Sequence, residues 1–294
     1  MSIIWNNITE GVFPEVDEPV LLAKEPTDNL VINCKLGCMI EDKSQGNSWF
    51  VGNECHLITL TSRQYWVYLL EKSLEVPNTE DITILKDVLQ EYLEKLQLFD
   101  KKFQMVAASM IKSGRGLYPL DYYISGILNR SSSLIFGFET LIKSSNFISA
   151  AHLVRPHLDN YLRLLAAWLV EQPHEFAQAV WGGATIRNFR DRSRNKMTDA
   201  YLKEKASEEF PWIENVYNET SGFVHFSNKH ILNTTTLSSE KENTMITFIG
   251  KTDNKVSYQS KLEAVIVMIE ISNAILKRIY GWIETKRTTV NFYL

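Results

Sequence analysis

The fold is decided by the stretch Ala151-His-Leu-Val-Arg-Pro-His-Leu-Asp-Asn-Tyr-Leu-Arg163, in which apolar residues recur at helical spacing beside a thin polar stripe. His152, Arg155, Asp159 and Arg163 occupy positions i, i+3, i+7 and i+11, so they share one face of a helix. The apolar side chains lie mostly on either side of that face. The stretch therefore predicts a packed helix that carries one line of polar groups.

A second stretch, Glu214-Asn-Val-Tyr-Asn-Glu-Thr-Ser-Gly-Phe-Val-His225, repeats this arrangement. Glu214, Asn218, Ser221 and His225 follow one another at steps of four, three and four residues, while the apolar residues point away. If the two helices pack together, their polar stripes converge. The sequence leaves two interpretations open, a binding or catalytic site and a structural ion-pair network.

The bulk composition is that of a globular protein. Hydrophobic residues make up 45% of the 294 residues and charged residues 22%, which is enough to bury a sizeable core. The net charge of -4 argues against broad electrostatic capture of nucleic acid or anionic membrane, so any such binding must be local. The first residues do not resemble a signal peptide, and no apolar run reaches the roughly 20 residues of a membrane-spanning helix. We therefore expect a cytoplasmic protein without membrane contact.

The three cysteines are candidate metal ligands. Cys34, Cys38 and Cys55, with His56, offer the ligand types of a tetrahedral zinc site. Their spacing is looser than in common zinc-binding motifs, and free cysteines usually pack as small buried hydrophobic residues. We therefore predict reduced thiols, no metal site and no cofactor.

Residues 1–75 predict a small N-terminal antiparallel β domain. Turn-forming residues separate short runs rich in Val, Ile, Trp and Tyr, which predict strands at residues 19–23, 48–51 and 64–68. The segment resembles a small β domain of unknown function that is common in phage and bacterial proteins. The resemblance is carried by Trp5, Pro14, Pro19-Val-Leu21 and Tyr65-Trp66.

The sequence pattern changes from strand-like to helix-like at residues 75–81. Pro77 ends the preceding element there, and Asn78 or Thr79 can cap a following helix. Residues 79–294 predict a second, helical domain, so the expected fold class is α+β. Residues 231–256 predict a loop with a short β-hairpin, and Pro156 predicts a kink or a helix start. The helical periodicity covers residues 82–111, 122–142, 147–170, 173–181, 185–205, 209–226 and 257–286.

Part of the helical segment, about residues 120–290, resembles an uncharacterised bacterial family. That family has an A-x-x-L-x-R-x-x-x-E helix and an S-x-x-x-H helix, and similar patterns lie at residues 146–159 and 217–225 here. It looks like an offshoot of the HEPN superfamily (higher eukaryotes and prokaryotes nucleotide-binding). The resemblance implies an up-and-down helical bundle that dimerises. It also implies a place among metal-independent ribonucleases, many of them in phage-defence systems.

The sequence departs from the R-x(4–6)-H motif of those nucleases. Counting back from His225 reaches Asn218, Glu219 or Thr220, and counting back from His230 reaches no arginine either. RNA cleavage without metal needs a cation beside the phosphate and a group that moves a proton, so the missing arginine removes the larger electrostatic contribution.

A rescue of this chemistry by the neighbouring helix is one of the hypotheses. Arg155 or Arg163 would supply the positive charge, and His225 would carry the proton. The candidate binding residues beside these catalytic candidates are Asp159, Asn218 and Ser221. The alternative is an ion-pair network that only stabilises the helical bundle. Such a network requires the same residue types as the catalytic site, so the sequence is compatible with both.

The stretch Arg187-Asn-Phe-Arg-Asp-Arg-Ser-Arg-Asn-Lys196 holds five cations and one anion. Arg190, Arg192 and Arg194 are therefore candidate contacts for a phosphate group, with a solvated helix face as the alternative.

We expect a non-catalytic interaction protein that forms a homodimer and binds an RNA or protein partner. A HEPN-type ribonuclease with a degenerate motif is the first alternative. A sensor of a small anionic ligand or nucleotide is the second.

Overall fold

The computed structural model describes residues 6–10, 14–15, 19–26, 35–42, 46–51, 56–59, 65–68, 79–114, 116–237, 244–253 and 255–291. In these ranges the chain is mostly helical, which confirms the predominance of helix that the periodicity predicted. No described helix is both long and apolar enough to cross a membrane. The helices are α1 (Ile82–Lys112), α2 (Pro119–Lys143), α3 (Phe147–Leu169), α4 (Pro173–Trp181), α5 (Asp199–Glu209), α6 (Trp212–Val224), α7 (Asn228–Thr234) and α8 (Tyr258–Asn291).

Residue contacts group the chain into two compact units, and each unit combines separate segments. The first comprises Met1–Leu74, Gln97–Leu128 and Ser272–Leu294, and the second comprises Glu75–Leu96 and Asn129–Ile271. Helices α1, α2 and α8 each contribute residues to both units. The division into segments 1–75 and 79–294 stays a prediction, because residues 69–78 lie outside the described part of the chain.

The first unit contains an antiparallel sheet of six strands: β1 (Asn6–Asn7), β2 (Pro19–Ala23), β3 (Lys35–Asp42), β4 (Gly46–Val51), β5 (His56–Thr59) and β6 (Tyr65–Tyr68). Their order in the sheet is β1-β6-β2-β3-β4-β5. In the interior strand β2, Val20, Leu21, Leu22 and Ala23 are all fully buried, so this strand is covered on both faces. Cys38 lies in β3 and His56 in β5, whereas Cys34 and Cys55 lie outside the described residues.

The second unit is built around helix α3, which packs against α4, α5 and α6. Thirteen of its residues are buried, among them Leu158, Tyr161 and Leu164. Pro156 lies inside α3 and does not mark its start, because the helix begins at Phe147 behind its own cap. Strands β7 (Thr235–Leu237) and β8 (Met245–Thr247) pair antiparallel, within the segment where a hairpin was expected.

The helix predicted over residues 185–205 was wrong in its first half, since α5 begins only at Asp199. The Asp191 carboxylate accepts a hydrogen bond from the Asn195 backbone N–H at 2.7 Å, and Arg194 has a positive φ of 67°. Both features close a tight loop that a helix cannot contain. The side chain of Thr198 then caps α5 by accepting from Tyr201 N.

The cap of helix α1 and the presence of helix α7 also differ from the prediction. Helix α1 is capped by Asp81, whose carboxylate accepts from Thr83 N at 2.8 Å, whereas Asn78 or Thr79 was expected to be the cap. Helix α7 was not predicted. Its N-terminus is held by a capping box in which Ser227 N–H donates to the Nδ1 of His230 at 3.2 Å. A seven-residue helix is too short to show its own hydrophobic period, which explains the omission.

Candidate functional site

Helix α3 is anchored at its N-terminus by two side chains. Asn146 caps the helix and accepts from Ser149 N at 3.2 Å, while Asp253 accepts from Ile148 N at 2.9 Å. Asp253 is buried, and its own N–H donates to the carbonyl of Ser145. Since a carboxylate at a helix N-terminus also interacts favourably with the helix dipole, this contact fixes the start of the polar stripe.

Arg155 joins the two predicted polar stripes. Its guanidinium carbon lies 3.4 Å from the centre of the Tyr217 ring, and Nη1 donates to the Ser221 hydroxyl at 3.2 Å. The same Nη1 donates to the Tyr217 carbonyl at 3.4 Å, and Ser221 Oγ donates to that carbonyl at 2.8 Å. The arginine of one polar stripe thus contacts the serine of the other. Arg155 is held by an aromatic face and two acceptors on α6.

Asp159 and Arg163 form a second group of contacts, further along α3. Arg163 Nη2 lies 2.8 Å from the Asp159 carboxylate and 2.5 Å from that of Asp199 at the start of α5. Burial lowers the pKa of Arg163, but the charges of Asp159 and Asp199 outweigh it and raise the pKa above its usual value. Arg130 on α2 lies 3.5 Å from Asp159. These side chains link α2, α3 and α5 as an ion-pair network.

The remaining residues of the stripes do not join Arg155 and Arg163. His152 hydrogen-bonds the carbonyl of Ile148 in its own helix at 2.7 Å, and Glu214 pairs with Lys203 at 2.7 Å. Asn218 is exposed. His225 is the exposed C-cap of α6, and among the described residues its side chain has no hydrogen bond or ion pair. The structure therefore joins Arg155 with Ser221 and Arg163 with Asp159, but does not bring the candidate proton carrier into contact with them.

The basic stretch at residues 187–196 forms an exposed loop. Arg190 donates to the carbonyl of Arg194 at 2.6 Å, which closes the loop on itself. Arg190, Arg192 and Arg194 are all exposed. The slight burial of Asp191 raises its pKa, but hydrogen bonds from Tyr201 and Asn195 outweigh it and leave the pKa below its usual value. Contacts within the loop and a hydrogen bond from Arg192 N–H to the carbonyl of Leu169 hold this segment, which presents its arginines to solvent.

Two buried polar residues of α3 were missed by the sequence analysis. Asn160 is almost fully buried, donates to Ser131 Oγ at 2.8 Å and accepts from Arg130 Nη1 at 2.6 Å. His157 is fully buried and hydrogen-bonded to the backbone of Met268, and burial lowers its pKa to about 3. No sequence signal marked them, because burial depends on how α2 and α8 cover α3.

Large apolar side chains are exposed in a group that runs from the end of α6 to the two residues after strand β8. Consecutive elements in this region contact one another, from α6 to α7, from α7 to β7 and from β7 to β8. The members are Val224, Phe226, Ile231, Leu232, Met245, Ile246, Phe248 and Ile249, with exposed fractions between 41% and 94%. We call these eight residues the apolar patch. A patch of this kind typically marks an interaction surface.

The described residues contain no group of three or more His, Cys, Asp or Glu arranged to hold a metal ion. Comparisons with protein-family models, with curated proteins and with solved structures give no match to this chain. The function must therefore be argued from the contacts of the chain itself.

Proposed function

We propose that the protein is a non-catalytic binding protein with a HEPN-like helical bundle, and that it associates with a second copy of itself through the apolar patch. The observation that carries this proposal is the exposure of the eight patch residues on one continuous run of elements. Phe226 and Phe248 each have a total surface of roughly 150–250 Å², and six aliphatic side chains add to them, so the open apolar area is on the order of several hundred Å². A stable interface buries about 800 Å² per partner, so the patch has the size of the apolar centre of such an interface.

The hairpin within the patch favours a second copy as the occupant. Strands β7 and β8 contain no charged residue, and all three residues of β8 are exposed. A two-stranded sheet is marginally stable alone, and natural edge strands usually carry charges that prevent pairing. Among the described residues, no strand other than β7 pairs with β8. Antiparallel pairing of β8 with its copy would give a four-stranded sheet and a two-fold symmetric contact.

The polar stripes support binding over catalysis. Arg155 is stacked on Tyr217 and hydrogen-bonded to Ser221, and Arg163 is paired with Asp159 and Asp199. Both guanidinium groups thus already have partners, whereas a cleavage mechanism needs a cation directed at the substrate phosphate. The alternative of a ribonuclease with a degenerate motif would require one of these arginines to leave its partners.

Sedimentation equilibrium on the full chain tests the proposal. We expect a dimer for the unaltered protein and a monomer for Ile246→Lys and Ile249→Lys, because each places a charge inside the contact. Phe136→Lys is the matched control, since Phe136 is 73% exposed but lies on α2, outside the patch. It should leave the dimer intact.

A monomeric unaltered protein, or equal dissociation by Phe136→Lys, would overturn the dimer. RNA cleavage is assayed on the same samples. Cleavage that disappears in Arg155→Ala while the fold is kept would establish the ribonuclease in place of the binding protein.

A further inference from the structure

A cavity of about 410 Å³ opens in the second unit between helices α3, α6, α7 and α8. This volume falls within the roughly 300–1,000 Å³ of small-molecule sites. Its walls are mostly apolar, with Phe147 and Val154 from α3, Val216 and Phe223 from α6, and Val267 from α8. None of these five side chains carries a polar atom. The cavity can therefore hold an apolar group without leaving buried polar atoms unpaired.

The polar lining residues are Asn215, Glu219, Thr220, Lys229, Ser260 and Glu263. Thr220 is occupied as a donor, because its hydroxyl donates to the carbonyl of Val216 at 2.6 Å. The charged members are two carboxylates and one ammonium group, so the lining carries a net charge of -1. This balance disfavours the small anionic ligand or nucleotide that the sequence left open.

Lys229 does not provide a free cation at the cavity. Its Nζ forms an ion pair with Glu219 and lies 5.3 Å from the centre of the Phe223 ring. Its stem crosses α6 at Gly222, where an added Cβ would lie 3.1 Å from both Cδ and Cε of the lysine. Glycine at this position therefore lets the lysine reach Glu219, and the pair joins α7 to α6 along the edge of the cavity.

Glu263 is the charge that remains without a counterion. It lies on α8, is exposed, and accepts only a long hydrogen bond of 3.4 Å from Gln259 in the same helix. Within the described residues no Lys, Arg or His forms an ion pair with it. A cation that enters the cavity with an apolar tail would meet this carboxylate.

We propose that the cavity binds a small organic cation, namely an ammonium group on an apolar body. The body fills the space between α3, α6 and α8, and the ammonium group lies against Glu263. The apolar walls contribute most of the affinity, and the carboxylate sets the preference for a positive charge. Leu232 is common to the cavity lining and the apolar patch, whereas Glu263 and the five apolar wall residues lie outside the patch.

Three ligands of equal chain length separate these contributions. Octylamine, 1-octanol and octanoate are positive, neutral and negative at pH 7, and their binding to the full chain is measured by isothermal titration calorimetry. We expect octylamine to bind about five- to tenfold more tightly than octanoate, which corresponds to roughly 1 kcal/mol for a partly exposed charge contact. Octanol should lie between them.

The variants assign the binding to this cavity. Glu263→Gln should reduce the affinity for octylamine to that for octanol, whereas Glu175→Gln, at an exposed position of helix α4, should change nothing. Ala264→Phe fills the cavity and should abolish binding of all three ligands. Val267→Phe is a second filling variant, and thermal melting identifies a filling variant that keeps the fold.

The proposal is overturned if octylamine does not bind or if octanoate binds as tightly as octylamine. Retained affinity in a folded filling variant, or an unchanged preference in Glu263→Gln, would overturn it as well.

Discussion

The ion-pair network on α3 and the pair formed by Lys286 and Asp121 use the same chemistry in opposite surroundings. In the second unit, 22% of the Arg163 side chain and 27% of the Asp159 side chain are exposed. In the first unit, only 1% of the Lys286 side chain and 2% of the Asp121 side chain are exposed. Helical spacing in the sequence predicts that Asp159 and Arg163 share a helix face, but it does not indicate the pair of Lys286 and Asp121. Spacing predicts which residues share a face, but burial decides how much a charge matters.

The buried pair is supported by further polar contacts. Lys286 Nζ lies 2.9 Å from Asp121 Oδ2 and donates to the Met110 carbonyl at 2.7 Å. Asp121 also accepts from Trp282 Nε1 at 2.8 Å and from Tyr118 N at 2.9 Å. A desolvated ion pair is tolerated only when such contacts satisfy its remaining donors and acceptors.

The largest expected effect is therefore at Lys286. Lys286→Ala would leave the Asp121 carboxylate buried without its counterion, and loss of one partner of such a pair costs about 3–5 kcal/mol. The free energy of unfolding from urea titration of the full chain measures this. The double variant Lys286→Met, Asp121→Asn removes both charges and keeps an amide oxygen that can accept from Trp282 Nε1, so it should regain part of the loss. An effect of Lys286→Ala no larger than that of Asp159→Asn would show that burial does not separate the two groups.

The next effect is a pH dependence at His157. The pKa of His157 in the folded protein is about 3, far below the ordinary value of 6.5. Between these two pH values the unfolded chain binds a proton at this residue, whereas the folded protein does not. The contribution of His157 to the free energy of unfolding is therefore fully present above pH 6.5 and is lost as the pH falls toward 3. The slope is at most about 1.4 kcal/mol per pH unit, or roughly 2–3 kcal/mol between pH 6.5 and 4.5.

His157→Gln is the variant that isolates this contribution, since its amide can still hydrogen-bond the Met268 backbone. Urea titrations at several pH values should show a shallower loss of stability for the variant than for the unaltered protein. The pH dependence that Glu270 contributes has the opposite sign. Burial raises the pKa of Glu270, so its contribution to stability is lost as the pH rises. Parallel slopes for His157→Gln and the unaltered protein would contradict the assignment.

A smaller effect is expected where the charges are half-exposed. Asp159→Asn keeps the size of the side chain but removes the ion pairs to Arg163 and Arg130, and exposed pairs contribute only about 0–1 kcal/mol. Salt should reduce the difference further. Asn160→Leu, one residue away in a buried position, removes the acceptor for Arg130 and the donor to Ser131, so it should destabilise more. Equal effects of the two changes in urea titration would remove the distinction between the two surroundings.

The sequence predicted what depends on local order. The bounds of α4 and β2 and the starts of α1 and α3 agree with the predicted ones, because apolar period and turn residues determine them. The same period placed Arg155 and Ser221 on faces that the structure joins. It failed at residues 185–198, where side-chain hydrogen bonds to the backbone compete with helix formation.

The remaining features depend on residues far apart in the chain. Asp253 caps α3 from 105 positions away, and the ion pair between Lys286 and Asp121 spans 165 positions. The cavity likewise needs four helices to come together before Glu263 faces an apolar space. No periodicity within a single helix can indicate such contacts, so these sites become visible only in the folded chain.

The smallest effect is expected at His225, and it separates structural from chemical importance most sharply. The residue caps α6 through its backbone N–H, which donates to the carbonyl of Ser221, and its exposed side chain makes no contact among the described residues. Removal of the ring therefore takes away neither packing nor a hydrogen bond. His225→Ala should shift the urea midpoint by roughly a tenth of the shift at Lys286 or less, as for exposed positions in general. His230→Ala is the matched control, since that ring accepts from Ser227 N and stacks on Phe226, and it should destabilise measurably. If His225→Ala left the fold intact but abolished an RNA cleavage that the unaltered protein performs, the exposed imidazole would be a proton carrier. The ribonuclease interpretation would then replace the binding protein.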